Sequence, residues 1–211
     1  LYIYNYVKLI RYNLNSGASM FTVYNKVDIF NNGRDKFKNL IADIKAAQKY
    51  IHIEYYIIKN DYLFDAIAKE LVLKARQGVE VRILGDGMGV RFMPEYKWNQ
   101  LKAEGIKVGI FFPAMLSWIN PRINYRNHRK IVVIDDNIGY IGGFNVGKEY
   151  IDKDPRFGHW RDTHLRIAGE SVLSLGVRFA LDWNYAMKEN LFAKGMYNIN
   201  DMYDEFIYNL R

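Results

Sequence analysis

His128 and Lys130 stand two residues apart, and Gly142, Gly143 and Asn145 follow within the next fifteen positions. On an extended strand, residues i and i+2 point to the same side. The pair therefore offers one phosphate both a ring nitrogen, able to act as nucleophile or base near neutral pH, and a fixed cation. That combination suits attack on a phosphodiester. Asn145 adds a neutral donor beyond a Gly-Gly turn, where backbone can approach a ligand closely. Ile131, Val132, Val133 and Ile134 read as a buried strand that holds the pair rigidly. Asp135 fills the acidic position of the frame H-x-K-x4-D-x6-G-G-x-N. Its odd spacing from Lys130 turns it to the opposite side, so it is expected to be structural, pairing with basic or backbone groups.

The elements that position these residues alternate in type. Apolar spacing from Phe37 to Ala47 predicts a helix with Asp35 as N-cap. The β-branched and aromatic run 50–58 predicts a strand, 63–76 a helix stopped at Gly78, and 79–84 a second strand. A helix over 94–104, ended by Gly105, and a strand over 106–112 follow. Beyond the motif strand come a partner strand at 138–141, a strand over 161–167 and a helix over 169–187. The order predicts an α/β fold with a parallel or mixed sheet carrying helices on its faces. Gly85-Asp86-Gly87-Met88-Gly89 lacks nucleotide-loop spacing and reads as a plain strand-to-loop turn. The domain expected from this pattern covers 34–190. An N-terminal arm or linker (1–33), with a short strand at 21–24, precedes it, and a C-terminal segment (191–211) follows.

Bulk composition narrows the function classes. The 211 residues are 50% hydrophobic, enough for one globular domain. Cysteine is absent, which excludes disulfides, thiolate metal sites and cysteine nucleophiles. A net charge of +7 favours anionic partners: acidic lipid, nucleic acid or phosphate esters. No apolar run approaches the roughly 18 residues that span a bilayer. His52, His159 and His164 lack ligand-like spacing and are expected to be structural, and no metal or cofactor is expected. The stretch 109–119 is intensely apolar and Pro113 stops its strand. Met115, Leu116, Trp118 and Ile119 then form either a lip that dips into a bilayer or a loop tucked into the core. Arg122, Arg126 and Arg129, which follow, would attract anionic headgroups.

The H-x-K-x4-D frame resembles the phospholipase D superfamily. The match is closest to the first half of bacterial cardiolipin synthases, through Ile51-His52-Ile53-Glu54-Tyr55-Tyr56, the motif itself, Gly142-Gly143-Phe144-Asn145 and Trp160-Arg161-Asp162-Thr163-His164. The likeness covers most of residues 21–187. It implies a phospholipase D-like mixed β-sheet sandwiched between α-helices. It also implies a phosphatidyl transferase that joins two phosphatidylglycerols into cardiolipin and glycerol through a phosphohistidine. His128 is then the nucleophile and the histidine of a second motif the acid and later base, or the two roles are reversed. Lys130, Asn145 and Arg126 would hold the phosphate. Asp162, or next Glu54, would orient the histidine. Members of this branch carry two such motifs and this chain carries one, so it is expected to be one half of a longer enzyme at the bacterial membrane surface. Its partner would be a second half or a second copy of itself. A hydrolase, a self-paired single-motif phosphodiesterase or nuclease, and a non-catalytic relic are the rival readings. Nucleic acid is the weaker partner, because no basic stripe with interleaved stacking aromatics appears.

Overall fold

A computed structural model of the chain describes residues 22, 24–113 and 126–197. The apolar segment with Met115, Leu116, Trp118 and Ile119 lies outside the described residues.

Seven strands form one mixed sheet: β1 (Lys26–Phe30), β2 (Tyr50–Tyr55), β3 (Glu80–Asp86), β4 (Lys107–Phe111), β5 (Lys130–Ile134), β6 (Ile138–Gly142) and β7 (His164–Ala168). Their order is β1-β7-β6-β5-β2-β3-β4. β2, β3 and β4 are parallel, joined through α2 (Tyr62–Arg76) and α3 (Glu95–Ala103). From β5 outward every pairing is antiparallel. The sequence reading of a mixed α/β sheet between helices holds.

Helices cover both faces. α1 (Gly33–Ala46), α2 and α3 pack on one face against Ile51, Ile53, Val132 and Ile134. α4 (Ser171–Met187) packs on the other, where Phe179 and Trp183 meet Leu84, Ile131 and Val133. Period-two alternation thus sends successive residues of β2 and β5 into two different cores, which explains why both strands are buried throughout.

Three local features differ from the sequence reading. Asn32, rather than Asp35, caps α1: its Oδ1 accepts from the Asp35 amide at 2.9 Å, while Asp35 sits in the first turn. β1 falls inside the stretch read as an arm, where its exposed Val27 and Ile29 hide the strand pattern. At the other end, Leu191 and Tyr197 of the segment read as C-terminal are buried in the α4-side core.

Asp135 fixes the central strand pair. Asp135 and Asp136 both adopt left-handed backbone in the β5–β6 hairpin, a conformation acidic and amide side chains tolerate better than most. The Asp135 carboxylate accepts from the backbone N–H groups of Gln48, Lys49 and Tyr50 at 2.6, 2.7 and 2.9 Å. It clamps the entry of β2 to the exit of β5, a structural role at the far end of the strand from His128. Replacing Asp135 with Ala removes three charge-assisted bonds, two of them to exposed backbone that water can satisfy instead. The expected loss is about 2–4 kcal/mol of unfolding free energy, with a smaller loss for Asn. Urea denaturation checks this, and a change under about 0.5 kcal/mol would contradict the clamp.

Candidate active site

Because β5 runs antiparallel to β2, its first residue lies at the carboxyl ends of β2, β3 and β4. Ligands of parallel sheets bind at that edge. Lys130 opens β5 beside Tyr55 of β2. The next register step reaches Gly142, which pairs with His164 of β7. With no side chain at Gly142, the His164 ring leans over it: a Cβ there would stand 2.7 Å from the ring.

His128 and Lys130 do share a side. Lys130 Nζ lies 2.9 Å from His128 Nδ1 and donates to the His128 carbonyl at 2.7 Å. Lys130 is buried, while His128 faces solvent. Tyr56 borders both. Its ring centroid is 4.6 Å from that of His128, and Lys130 Nζ sits 5.5 Å from the same ring. Sequence reasoning left Tyr56 out of the site, although it lies in the Glu54-Tyr55-Tyr56 run that carried the resemblance.

Asn145 is buried and already engaged. Its Oδ1 accepts from the Ile57 amide at 3.0 Å, and its Nδ2 donates to the Tyr150 hydroxyl at 3.1 Å. It ties the chain leaving β2 to the segment after β6, one residue from the Ile58–Val146 bridge. The paired glycines permit close approach within the protein. A Cβ at Gly142 would fall 2.4 Å from the His164 backbone, and one at Gly143 would fall 2.0 Å from Asp162 Oδ1. Asp162 therefore lies against the Gly143 backbone, where its charge is felt by Lys130, and its Oδ1 accepts from the Thr163 amide at 2.7 Å. It makes no hydrogen bond to His128 here.

Glu54 needs correction as a candidate for orienting His128. It points to the α4 face, the opposite face from Lys130. It reaches the motif through Asn127, whose Nδ2 donates to Glu54 Oε1. Asp86 accepts from the Asn127 amide at 3.0 Å, and Asp182 of α4 pairs with Arg129 at 3.1 Å. Arg129 closes the circuit, donating from Nη1 to Asn127 Oδ1 at 3.1 Å. Carboxyl groups from β2, β3 and α4 thus hold the two neighbours of His128 from behind. Arg126, expected at the phosphate, donates from Nη1 to the Phe112 carbonyl at 3.2 Å and lies 3.6 Å from Asp86.

The other two histidines outside the motif lie elsewhere in the fold. His52 is stacked on Phe179, with Nδ1 2.5 Å from the Tyr197 hydroxyl. His159 sits 3.2 Å from Asp152. Among the described residues, no three acidic or histidine side chains converge to hold a metal ion.

A sequence model of the family described as cardiolipin synthase, PLD-like domain, matches residues 40–155. The chain belongs to this family. Major cardiolipin synthase ClsA of Bacillus subtilis is 48% identical over 168 residues, covering 80% of this chain and 35% of that protein. A cardiolipin synthase of Staphylococcus aureus is 50% identical over 182 residues, covering 86% of this chain and 37% of that one. The chain thus spans well under half the length of these relatives. Among solved structures, NucT from Helicobacter pylori has a TM-score of 0.60 at 19% identity, matched over 77% of this chain and 98% of that chain. The phospholipase D family member Nuc from Salmonella typhimurium has a TM-score of 0.58 at 18% identity. Both likenesses are of fold.

In this cardiolipin synthase-family domain the site electrostatics favour a neutral histidine. Partial desolvation lowers the His128 pKa, the Lys130 charge lowers it further, and Asp86 opposes both. Burial lowers Lys130 to about 8, with Asp162 pulling the other way, so the ammonium persists at neutral pH and is lost just above it. His164 is also held neutral, by burial and by the Lys36 and Lys130 charges. Neither of its ring nitrogens has a hydrogen-bond partner among the described residues. Glu54 is raised, first by burial and then by the nearby charge of Asp182, while the hydrogen bond from Asn127 opposes both.

Replacing Lys130 with Met is expected to raise the His128 pKa, read from its ring Cε1–H signal in an NMR titration. An unchanged value would remove Lys130 as a cause. The raised Glu54 pKa has a defined sign: its stabilising contribution is complete below the unfolded value near 4.5 and declines as pH rises toward the folded value. Glu54→Gln removes that decline. Its melting temperature, measured relative to the parent chain, should therefore rise between pH 5 and 8, and a constant offset would contradict a protonated Glu54.

Proposed function

We propose that this domain is one half of a phosphatidyl transferase of the cardiolipin synthase type. The observation that carries the reading is the exposed, neutral His128 set against the buried Lys130 ammonium, in a chain about half identical to cardiolipin synthases. His128 attacks the phosphorus of a phosphatidylglycerol. A P–N bond forms, the P–O bond to glycerol breaks, and the leaving oxygen takes a proton from the histidine of a second motif. That second histidine then draws the proton from the hydroxyl of another phosphatidylglycerol, whose oxygen displaces His128 and yields cardiolipin. A paired site is nearly symmetric, so the two histidines can exchange roles. Lys130 moves from the His128 ring edge to a non-bridging phosphate oxygen, where it offsets the charge that develops in the transition state. The second N–H of the Asn145 amide is the donor left for the same group. Asp162, lying against Gly143, reaches the far nitrogen of His128 once Lys130 turns to the phosphate.

The second motif belongs to the remainder of a longer protein, working at the bacterial membrane surface on anionic lipid. The runner-up reading is a self-paired single-motif phosphodiesterase. It draws on the fact that this chain covers nearly the full length of NucT, so a module of this size makes a whole chain there.

Solution mass measured together with turnover of phosphatidylglycerol liposomes separates the two. The transferase reading predicts that this chain alone is an inactive monomer, and that a two-motif protein containing it makes cardiolipin. Replacing His128 with Ala should lower that rate by about 10³-fold or more. A dimer of this chain that cleaves phosphodiesters without forming cardiolipin would overturn it in favour of the runner-up.

A further inference from the structure

The proposed transfer brings two anionic headgroups to one histidine, but Lys130 answers only one phosphate. The attacking hydroxyl of the second lipid is joined to that lipid's own phosphate by a single glycerol. A cation outside the H-x-K pairs, on the wall next to His128, would hold that second phosphate.

A cavity of about 540 Å³ opens beside the site, between the loops that leave β2 and β3. Tyr56, whose ring touches that of His128, forms one wall together with Ile57 and Lys59. Met88, Arg91 and Phe92 form the other. The glycine-rich stretch read from sequence as a plain turn builds this wall. A Cβ at Gly89 would stand 1.7 Å from the Tyr56 carbonyl oxygen, and one at Gly87 2.2 Å from that of Phe112. Only glycine lets the β3 loop pass this closely over the exit of β2.

The cavity has a cation and an apolar rim. Arg91 is exposed, donates from Nη1 to the Met88 carbonyl at 3.0 Å, and lies over the Phe92 ring at 4.4 Å. Among the described residues no carboxylate pairs with Arg91, whereas Lys59 across the cavity is paired with Glu149. Phe92 is 80% exposed, a large ring left in water beside a guanidinium that no carboxylate neutralises among the described residues. A guanidinium that can fork onto a phosphate, next to an aromatic surface for a glycerol or acyl segment, matches a glycerophospholipid headgroup.

We propose that this cavity is a second headgroup subsite: Arg91 takes the phosphate of the acceptor anionic glycerophospholipid, and its glycerol hydroxyl passes Tyr56 to reach the phosphorus held at His128. The assignment rests on the transferase reading above. In the step it serves, the hydroxyl oxygen forms the new P–O bond, the P–N bond to His128 breaks, and the hydroxyl proton goes to the second motif's histidine.

Binding tests the subsite without requiring turnover. Dihexanoyl phosphatidylglycerol, kept below its micelle concentration, is titrated into this chain by NMR, with glycerol 3-phosphate and dihexanoyl phosphatidylcholine in parallel. The expected result is binding of phosphatidylglycerol that weakens about tenfold or more in Arg91→Gln, about 1.4 kcal/mol. It should be unaffected in Lys26→Gln, an exposed cation on the outer strand β1. Phe92→Ser should weaken phosphatidylglycerol and leave glycerol 3-phosphate unchanged. Equal binding by the parent chain and Arg91→Gln would overturn the proposal, as would an equal loss in Lys26→Gln, which would mean diffuse charge. Glycerol 3-phosphate binding as tightly as the lipid through Arg91 would make the cavity a soluble-phosphate site and also overturn it. Failure of the transferase reading appears separately, as absence of cardiolipin from the two-motif protein, whatever Arg91 binds.

Discussion

Everything at the site depends on the start of β5. This strand is buried on both faces, yet it must begin with an ammonium and be preceded by a solvent-facing histidine. A central strand of apolar residues gives Lys130 a fixed direction, but burial of its charge costs stability unless neighbours answer it. The His128 carbonyl and Asp162 supply that answer on one face. Behind the strand, Glu54, Asp86 and Asp182 hold Asn127 and Arg129, so the backbone on both sides of His128 is anchored from the opposite face. Asp135 fixes the other end through the backbone of 48–50. The motif is thus a strand tied at both ends, with His128 and Lys130 at the open carboxyl edge of the parallel strands.

The same burial sets the protonation states. A histidine beside an ammonium is kept neutral, while burial lowers the ammonium's own pKa to about 8. The two effects oppose each other in useful directions: Lys130 suppresses the charge on His128 while remaining charged itself. A phosphate arriving between them would reverse the balance, drawing Lys130 to its oxygens and freeing the histidine ring edge.

Much of the fold was legible because period-two and period-3.6 patterns reflect burial directly. Ile131 to Ile134 read as a strand, and the apolar spacing of α1 and α2 read as helices, for the reason that makes them so in the fold. Odd spacing turned Asp135 away from Lys130, and its carboxylate accepts from the backbone amides of Gln48, Lys49 and Tyr50. Other features depended on contacts distant in sequence. Glu54 shares a strand with Tyr55, and only the sheet register reveals that alternation sends it to the α4 face, away from Lys130. Asn145 looked like a free donor, but its Oδ1 is taken by the distant Ile57 amide and its Nδ2 donates to Tyr150, five residues on. Gly87 and Gly89 read as a turn, because the carbonyls they clear, on Phe112 and Tyr56, belong to other loops. β1 escaped notice because an edge strand with exposed Val27 and Ile29 loses the alternation that marks a half-buried one.

The central claim is that His128 becomes the covalent carrier of a phosphatidyl group. The direct measurement is rapid quenching of a two-motif protein containing this domain during turnover of phosphatidylglycerol, followed by peptide mass mapping under conditions that preserve acid-labile phosphoramidates. The account predicts a phosphatidyl adduct on His128 or on the histidine of the second motif, lost when that residue is replaced. Cardiolipin formed at full rate, with no adduct on either histidine at any time point, would contradict it.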